Sequence, residues 1–408
     1  MARPANDLPA VARVAAPFFA GVAEIREPPA VPARLLLIAC VLAGTAACEE
    51  SQTLSRAAAS DAPSPSAMPA PREGPPERLS APAPAPAPAP DSLFLSTPDH
   101  DVRHTLAHAE IARVKKGKGG RSLAFKLTFE DGSAGYYKPE QTFSGTIWFA
   151  EVVAHALDRA LGIGRVPPVV SRRIPWSKLE RAADGDARIA EVIKAPDRTV
   201  RGALVAWLDE PLVPAVTPPG WESWIRIEPF GKFNITPFQR ASEYVEQYEL
   251  YKQRLAKGQG MPQYYAEAPK PSRDDLPGAL SDMITLDFLL MNIDRFGGGN
   301  GNILTLGRAG PLIFLDNSAG LSVGPHRRNL PDQRFFPCQR FRKATIDALE
   351  KLDVKAFVAR LEADPLALPA PSPLTAQLIE GIEERREAVL EHVTALRKKH
   401  GDGAVLSL

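Results

Sequence analysis

The chain is 408 residues long and 44% hydrophobic, with a formal net charge of +1, enough apolar material for one large or two medium folded domains. A charge so near neutrality excludes a general nucleic-acid binder, which carries a strong basic excess or stripe. The 41 prolines are unevenly spread and many precede Ser92, which sets the N-terminal quarter apart from the rest.

That quarter reads as a leader and a tether. From Arg34 the run RLLLIACVLAGTAAC has the positive residue, apolar core and small residues of a signal peptide, and it is short for a membrane span of about twenty residues. TAAC at residues 45–48 resembles a bacterial lipobox, with Thr45 where Leu is usual. The resemblance implies a lipid anchor at Cys48 and an exported, membrane-anchored lipoprotein, periplasmic or at the cell surface; the alternative is a plain signal peptide and a secreted protein. Residues 1–32 carry Glu24, Arg26 and Glu27 and are unlike a signal n-region, which an early start codon would explain. Residues 1–48 are therefore expected to be leader. Residues 49–91, with APAPAPAPAP at their end, cannot bury apolar surface and are expected to be a disordered, extended spacer of about 3 Å per residue. Cys40 and Cys48 fall in the leader, so Cys338 is the sole thiol of the remainder and no internal disulfide can brace it.

From Ser92 the pattern changes to strands. IARVKKGKGGRSLAFKLTFEDGSAGYYKPE alternates in LAFKLTF and GYYK, with turn signals at KGKGG and EDGSAG, which predicts a small antiparallel sheet. The basic, glycine-rich loop over residues 115–121 can bring backbone N–H groups near phosphates around Lys118 and Gly119; the plainer reading is a hairpin turn with solvated lysines. Lys138 ends a strand just before Pro139, where a long cation can reach from a sheet into a cleft. IWFAEVVAHALDRALGIG then predicts a helix with Ile147, Val152, Ala156 and Leu157 on one stripe and Gly162 and Gly164 as its stop. Glu151 lies against that stripe, and a carboxylate there either reaches water at the edge or pairs with a buried cation, for which Lys138 is the nearest candidate.

An extended run, RVPPVVSRRI, and an apolar strand, GALVAWLDEPL, follow. After Pro214 the segments SEYVEQYELYKQRLAKG, LSDMITLDFLLMNI, KATIDALEKLDVKAFVARLEA and LTAQLIEGIEERREAVLEHVTALRKKH are helical in period. Strands first and helices later predict an α+β fold of two lobes. The small β-rich N-lobe would take residues 92–213, the larger helical C-lobe residues 214–408, and the cleft between them the site.

The segment NIDRFGGGNGNIL places flexible, polar residues between two apolar runs. Phosphoryl transfer needs an Asp to orient or deprotonate the acceptor hydroxyl, a nearby Asn to hold metal, and a second Asp beyond to chelate it. Asp294, Asn300 or Asn302, and Asp316 at the end of GPLIFLD offer these. A strand between Asn and Asp would return both to one edge, where their oxygens can share Mg²⁺ or Mn²⁺, and the glycines let the backbone fold closely around the cleft.

Five stretches in order, YYKPEQ at Tyr136, FAEVVAHALDRALGIGRVPPV at Phe149, NIDRF at Asn292, FLDNSAGLSVG at Phe314 and CQRFRKATIDAL at Cys338, resemble the secretory-pathway kinases. This is the atypical protein-kinase-like family that includes the Golgi casein kinase, the glycosaminoglycan xylosyl kinase and Four-jointed, and the chain would be a bacterial-type member. The resemblance implies a two-lobed atypical kinase fold and transfer of the ATP γ-phosphate to a hydroxyl of a protein or glycan. It implies Lys138 on the nucleotide phosphates, Glu151 paired with that lysine or touching metal, Asp294 as the catalytic aspartate and Asp316 as metal ligand. Asn302 is taken as a further metal ligand because NGNIL resembles the asparagine loop of lipid-kinase-like relatives. Two departures stand out: the animal enzymes have several disulfides, and their loop after the aspartate carries bulkier residues. A catalytically inactive pseudokinase and a Ca²⁺-stabilised adhesion module are the rival readings, the latter weakened because DRFGGGNGN lacks the alternating oxygen ligands and closing Glu of an EF-hand.

Overall fold

The computed structural model of the chain describes residues 93–118, 120–143, 145–215, 220–228, 238, 253, 256–258, 270–296, 302–321 and 329–408. The expected leader (1–48), the tether (49–91), Gly119, Asn300 with its glycine neighbours, and nearly all of the helix expected over residues 242–258 lie outside the described residues. No described helix is long and apolar enough to cross a membrane.

Two short strands, β1 (Leu93–Phe94) and β2 (Thr97–Pro98), lead into helix α1 (His100–His108). The sequence reading expected strands alone in this part of the chain. Only Leu106 of α1 is fully buried, so its apolar period is too faint to read. Strands β3 (Ile111–Lys116), β4 (Phe125–Phe129) and β5 (Ala134–Pro139) follow, then helix α2 (Trp148–Ala160), strand β6 (Val169–Pro175), helix α3 (Trp176–Ala183) and strand β7 (Thr199–Ala206). The five strands β3 to β7 make one antiparallel sheet in the order β3-β4-β5-β7-β6.

Period-2 alternation assigns the faces of this sheet. Phe125, Leu127, Phe129 and Tyr137 pack outward against Leu106 of α1 and Trp176 and Leu179 of α3. Val169, Ala203 and Val205 pack on the other side with the apolar residues of α2. On β5, Tyr136 and Lys138 alternate with Tyr137 and so share the face that looks away from the α1 and α3 cover. Gly202 sits beside β5 without a side chain, because a Cβ there would lie 2.3 Å from the Lys138 carbonyl oxygen.

The second half is helical around a small sheet of β8 (Leu212–Pro214), β9 (Leu304–Leu306) and β10 (Leu312–Ile313), in the order β10-β9-β8. Its centre is helix α4 (Leu276–Leu290), buried at every position, as expected of a helix enclosed on all sides. Burying one Leu or Phe contributes about 1.5–3 kcal/mol, and the polar residues of α4 do not cancel this because each has a partner. Ser281 donates to the Arg340 carbonyl at 2.8 Å, Thr285 to the Ser281 carbonyl at 2.9 Å, and Asp282 accepts from Thr345 at 2.7 Å and pairs with Arg342 at 3.0 Å. Around α4 stand α5 (Asn329–Phe335), α6 (Lys343–Lys351), α7 (Val354–Ala363), α8 (Ala376–His400) and α9 (Asp402–Val405). The larger core cluster joins α2 to α4 and α8, so α2 belongs by packing to both halves. The fold is α+β, sheet-rich first and helical second, as the sequence predicted.

One expectation is corrected. The single strand foreseen between Asn302 and Asp316 is a hairpin, β9 paired antiparallel with β10 through Thr305↔Leu312 and Leu304↔Ile313. Antiparallel return brings residues 302 and 316, just outside its two ends, to the same end of the hairpin, so the geometric purpose of the expected strand is met by two short ones.

Candidate active site

Three elements converge on one ammonium. Lys138, at the end of β5, donates to Glu151 Oε1 of α2 at 2.5 Å, to Asp316 Oδ1 at 2.6 Å and to Ser318 Oγ at 3.3 Å. Glu151 is 1% exposed, and a carboxylate so deep is tolerated only when paired and hydrogen-bonded. It is: Oε1 also accepts the Asn317 backbone N–H at 2.9 Å, and Oε2 accepts from Asn317 Nδ2 at 3.2 Å. Burial opposes the charge of Lys138, but Asp316 and then Glu151 outweigh it and hold the ammonium above the usual lysine range. Lys138 in turn holds the Asp316 carboxyl below its ordinary range against burial. The lysine, the helix and the segment after β10 are thus locked as one charged unit.

Asp316 has φ +56°, a left-handed conformation uncommon for a residue with a side chain and a mark of functional turns. Its side chain is 47% exposed, unlike that of Glu151. Its Oδ1 serves Lys138 and Ser318, and no described residue engages Oδ2.

The Asp294 loop begins where α4 ends. Met291, at φ +54°, turns the chain out of the helix. Asn292 then donates to Asp287 at 3.0 Å and accepts the Asp294 N–H at 3.2 Å, an Asx-type brace. Arg334 of α5 donates to the Ile293 carbonyl at 2.9 Å and stacks over Phe296 at 5.0 Å. Arg295 turns inward, fully buried, with its Nε donating to Asp287 Oδ2 at 3.0 Å and its Nη2 to Asn317 Oδ1 at 2.6 Å; it also donates to the Leu315 carbonyl. The neighbouring Asp294 points the other way and is exposed. Its Oδ2 accepts from Asn302 Nδ2 at 3.3 Å. Partial burial first, then the charge of Asp316, push the Asp294 carboxyl up from its usual range, while Asn302, Arg295 and Arg334 pull it back.

The structure therefore brings Lys138, Glu151 and Asp316 into direct contact and Asp294 into contact with Asn302. The electrostatic influence of Asp316 on Asp294 links the two groups. Lys118 lies exposed in the β3–β4 turn, and no contact among the described residues joins it to Lys138. Gly119 is outside the described residues. The turn is nevertheless anchored: Arg188 donates to the carbonyls of Gly120 at 2.9 Å and Ser122 at 3.0 Å, Arg121 pairs with Glu191, and buried Gln141 exchanges hydrogen bonds with the Leu123 backbone.

Several participants escaped the sequence reading. Asp287 is a carboxylate inside the apolar run LDFLLM, and that incongruity was its signal. Asn317 stands beside Asp316 with nothing local to mark it. Tyr136 shares the Lys138 face, and its phenol is pushed up by burial with Lys138, Asp316 and Arg188 in electrostatic reach. Its hydroxyl packs against Gly117, where a Cβ would come within 2.5 Å. Trp207, 43% exposed, lies 6.4 Å from the Tyr136 ring and 3.5 Å below the Lys126 ammonium, so two aromatic rings and a cation line the same sheet face beside Lys138.

The donor set fits a hard cation. Asp316 Oδ2 and the Asn302 amide oxygen are both oxygen donors, the kind preferred by Mg²⁺ and Mn²⁺. No group of three His, Cys, Asp or Glu side chains that could hold a metal occurs among the described residues. Two protein oxygens, completed by phosphate and water, are what such cations take at nucleotide sites.

No family model matches the chain, and no curated protein matches it. Solved structures do. The Golgi casein kinase aligns at 19% identity over 77% of this chain and 81% of that one, TM-score 0.50. The same kinase with Mn and ADP bound aligns at 18% over 77% and 80%, TM-score 0.50. Hydra Fam20 with sugar aligns at 22% over 78% and 95%, TM-score 0.51. At such identities the likeness establishes the fold, which is kinase-like.

Proposed function

We propose that the chain is a metal-dependent phosphotransferase that moves the γ-phosphate of ATP to a hydroxyl group of a protein or glycan. The observation that carries this reading is the meeting of Lys138, Glu151 and Asp316 from three separate elements, with Asp294 and Asn302 alongside. The fold shared with a kinase solved with Mn and ADP supports it further.

In this reading the nucleotide lies against the inner face of the five-stranded sheet, its base on the Tyr136 and Trp207 rings, where stacking needs only a π-face. Its phosphates lie by Lys138, which Glu151 holds in place. Asp316 and Asn302 are the residues that would hold Mn²⁺ or Mg²⁺, which would supply charge neutralisation at the phosphates. Asp294 accepts a hydrogen bond from the acceptor hydroxyl and takes its proton as the hydroxyl oxygen bonds to the γ-phosphorus and the bond to ADP breaks. The lipobox-like TAAC and the Ala-Pro spacer support export and a lipid anchor at Cys48, which mass spectrometry of the native N-terminus tests.

The assay is incubation of the purified chain with radiolabelled ATP, Mn²⁺ or Mg²⁺, and panels of proteins and glycans. Stoichiometric transfer that requires the cation is the expected result. The direct Lys138–Asp316 contact favours one second reading, a nucleotide-binding module without turnover. Metal-dependent ATP binding with no transfer to any acceptor, water included, would select it.

A further inference from the structure

Helix α1 lies against the outer face of the sheet, opposite the Lys138 face, and nothing in the proposed chemistry uses it. Its sequence is HDVRHTLAH, so His100, His104 and His108, three of the chain's seven histidines, fall within nine residues. The four-residue spacing places them along one stripe. All three are exposed, so none is a core histidine held for packing. The His104 and His108 rings lie side by side with centroids 4.6 Å apart, whereas His100 is engaged with its neighbour Asp101 at 3.3 Å.

We infer that His104 and His108 form a two-imidazole site for a late first-row divalent cation of the Zn²⁺, Ni²⁺ or Cu²⁺ type. Two histidines at i and i+4 on one helical face are a zinc-binding arrangement because both rings project to the same side of one turn. With Zn–N bonds of about 2.0–2.1 Å and tetrahedral angles, two coordinated rings have centroids roughly 5 Å apart. The pair needs only a small side-chain adjustment to reach that geometry. Imidazole nitrogens select these borderline cations over Mg²⁺, Ca²⁺ and Mn²⁺, which take oxygen.

The helix backbone is tied to its neighbours, so the ordering cost of binding falls mainly on the two imidazole side chains. Arg103 donates to Asp364 Oδ2 at 2.6 Å, and Arg172 donates to the Leu106 and Ala109 carbonyls at 2.8 and 2.7 Å. Asp99, just before the helix, receives His155 and Arg159 of α2. These ties hold the backbone and leave His104 and His108 free. No third His, Cys, Asp or Glu among the described residues completes a cluster with them. The described residues therefore supply two ligands, and the remaining positions of the cation would be filled from elsewhere, by water or another donor. This inference does not rest on the phosphotransferase reading.

The test titrates the purified full-length chain with ZnCl₂ and NiCl₂ against a competing colorimetric chelator, comparing wild type with His104→Ala, His108→Ala, the double variant and His100→Ala. Exposed positions leave the fold undisturbed, which circular dichroism verifies. The expected result is a zinc equivalent weakened in each single His104 and His108 variant by at least the roughly 10–100-fold lost when a mere outer-shell partner is removed. That equivalent should be absent from the double variant and kept by His100→Ala. Any zinc held in the cleft persists in all variants and is subtracted. Identical zinc stoichiometry and affinity in wild type and double variant would overturn the site, as would loss in His100→Ala with retention in His108→Ala.

Discussion

Two aspartates and a glutamate that look alike in the sequence stand in three different environments. Glu151 is buried and accepts three hydrogen bonds, Asp316 is half exposed and shares one oxygen with Lys138, and Asp294 faces solvent beside Asn302. Removing one partner of a buried ion pair leaves the other charge uncompensated, at about 3–5 kcal/mol. Glu151→Ala should therefore lower the melting temperature far more than Asp316→Ala, because water can reach the gap left at Asp316. Equal losses in calorimetry would contradict the account of Glu151 as a buried brace. Asp294 is the converse case: in the proposed mechanism it serves the chemistry, while its exposed side chain, tied only to Asn302 among the described contacts, has little to contribute to stability. Asp294→Asn should keep the melting temperature and metal-dependent ATP binding, because the amide still meets Asn302. Transfer should fall by about 10²–10⁴, the usual contribution of a positioned acid or base. Single-turnover phosphorylation beside a thermal melt reads both, and wild-type transfer by folded Asp294→Asn would end the assignment. Lys138 and Glu151 drew notice in the sequence as charges at the end or on the face of a periodic segment, Asp294 and Asp316 as carboxylates before the glycine-asparagine loop and at the end of an apolar strand, and the roles expected of them came from the family resemblance. Asn317 and Asp287 were not chosen, since their importance comes from contacts with residues far along the chain.

Helix α2 shows how one element carries opposing electrostatic terms. His155 donates to Asp99 at 2.9 Å and burial holds its pKa down at about 4, while burial pushes Asp158 up to about 6. For His155 the unfolded chain binds the extra proton between about pH 4 and the ordinary 6.5, so its contribution to stability grows with pH and is lost on acidification through that window. Asp158, and Asp282 of α4, also pushed by burial to about 6, act in the opposite sense. For them the folded chain binds the extra proton between about pH 4 and 6, so stability falls as pH rises. His155→Gln should remove only the first term. The stability advantage of wild type over the variant should then shrink between pH 6.5 and 4 by on the order of 3 kcal/mol, as read from urea unfolding at both pH values. Parallel pH profiles would mean that His155 is not held neutral. The elements themselves were legible where the alternation or apolar stripe was clear, as in β4, β5 and α2, or where a helix-compatible segment ran long, as in α4 and α8. The short helices α1 and α3 were missed because eight or nine residues give the helical period too few turns to be read, and the β9–β10 hairpin because strands of two or three residues leave no period to read.

At the scale of the whole molecule, strands before helices predicted a two-part α+β fold and the five matching stretches implied that it is kinase-like, but the meeting of Lys138 with Asp316 depends on packing that no local pattern records. Lys138 reaches Asp316 across 178 positions of sequence, and α2 is the element whose core residues join the sheet to the helical half. A nucleotide held between Lys138 and a cation on Asp316 would tie the same two halves together, and a ligand that binds only the folded state stabilises it by about 2.7 kcal/mol at a hundred times its dissociation constant. ATP should thus raise the melting temperature when Mn²⁺ or Mg²⁺ is present and fail to do so with a chelator. On the proposed reading Lys138→Ala removes the phosphate contact and Asp316→Ala the carboxylate of the cation's two protein ligands, so each should abolish the shift. Asp294→Asn, which touches neither, should keep it. Because Lys138 and Asp316 are themselves an ion pair, each variant also needs its own nucleotide-free melting curve, so that lost stability is not mistaken for lost binding. A shift that appears without a divalent cation and survives both alanine variants would place the nucleotide somewhere other than between these two residues, and the phosphotransferase reading would fall with it.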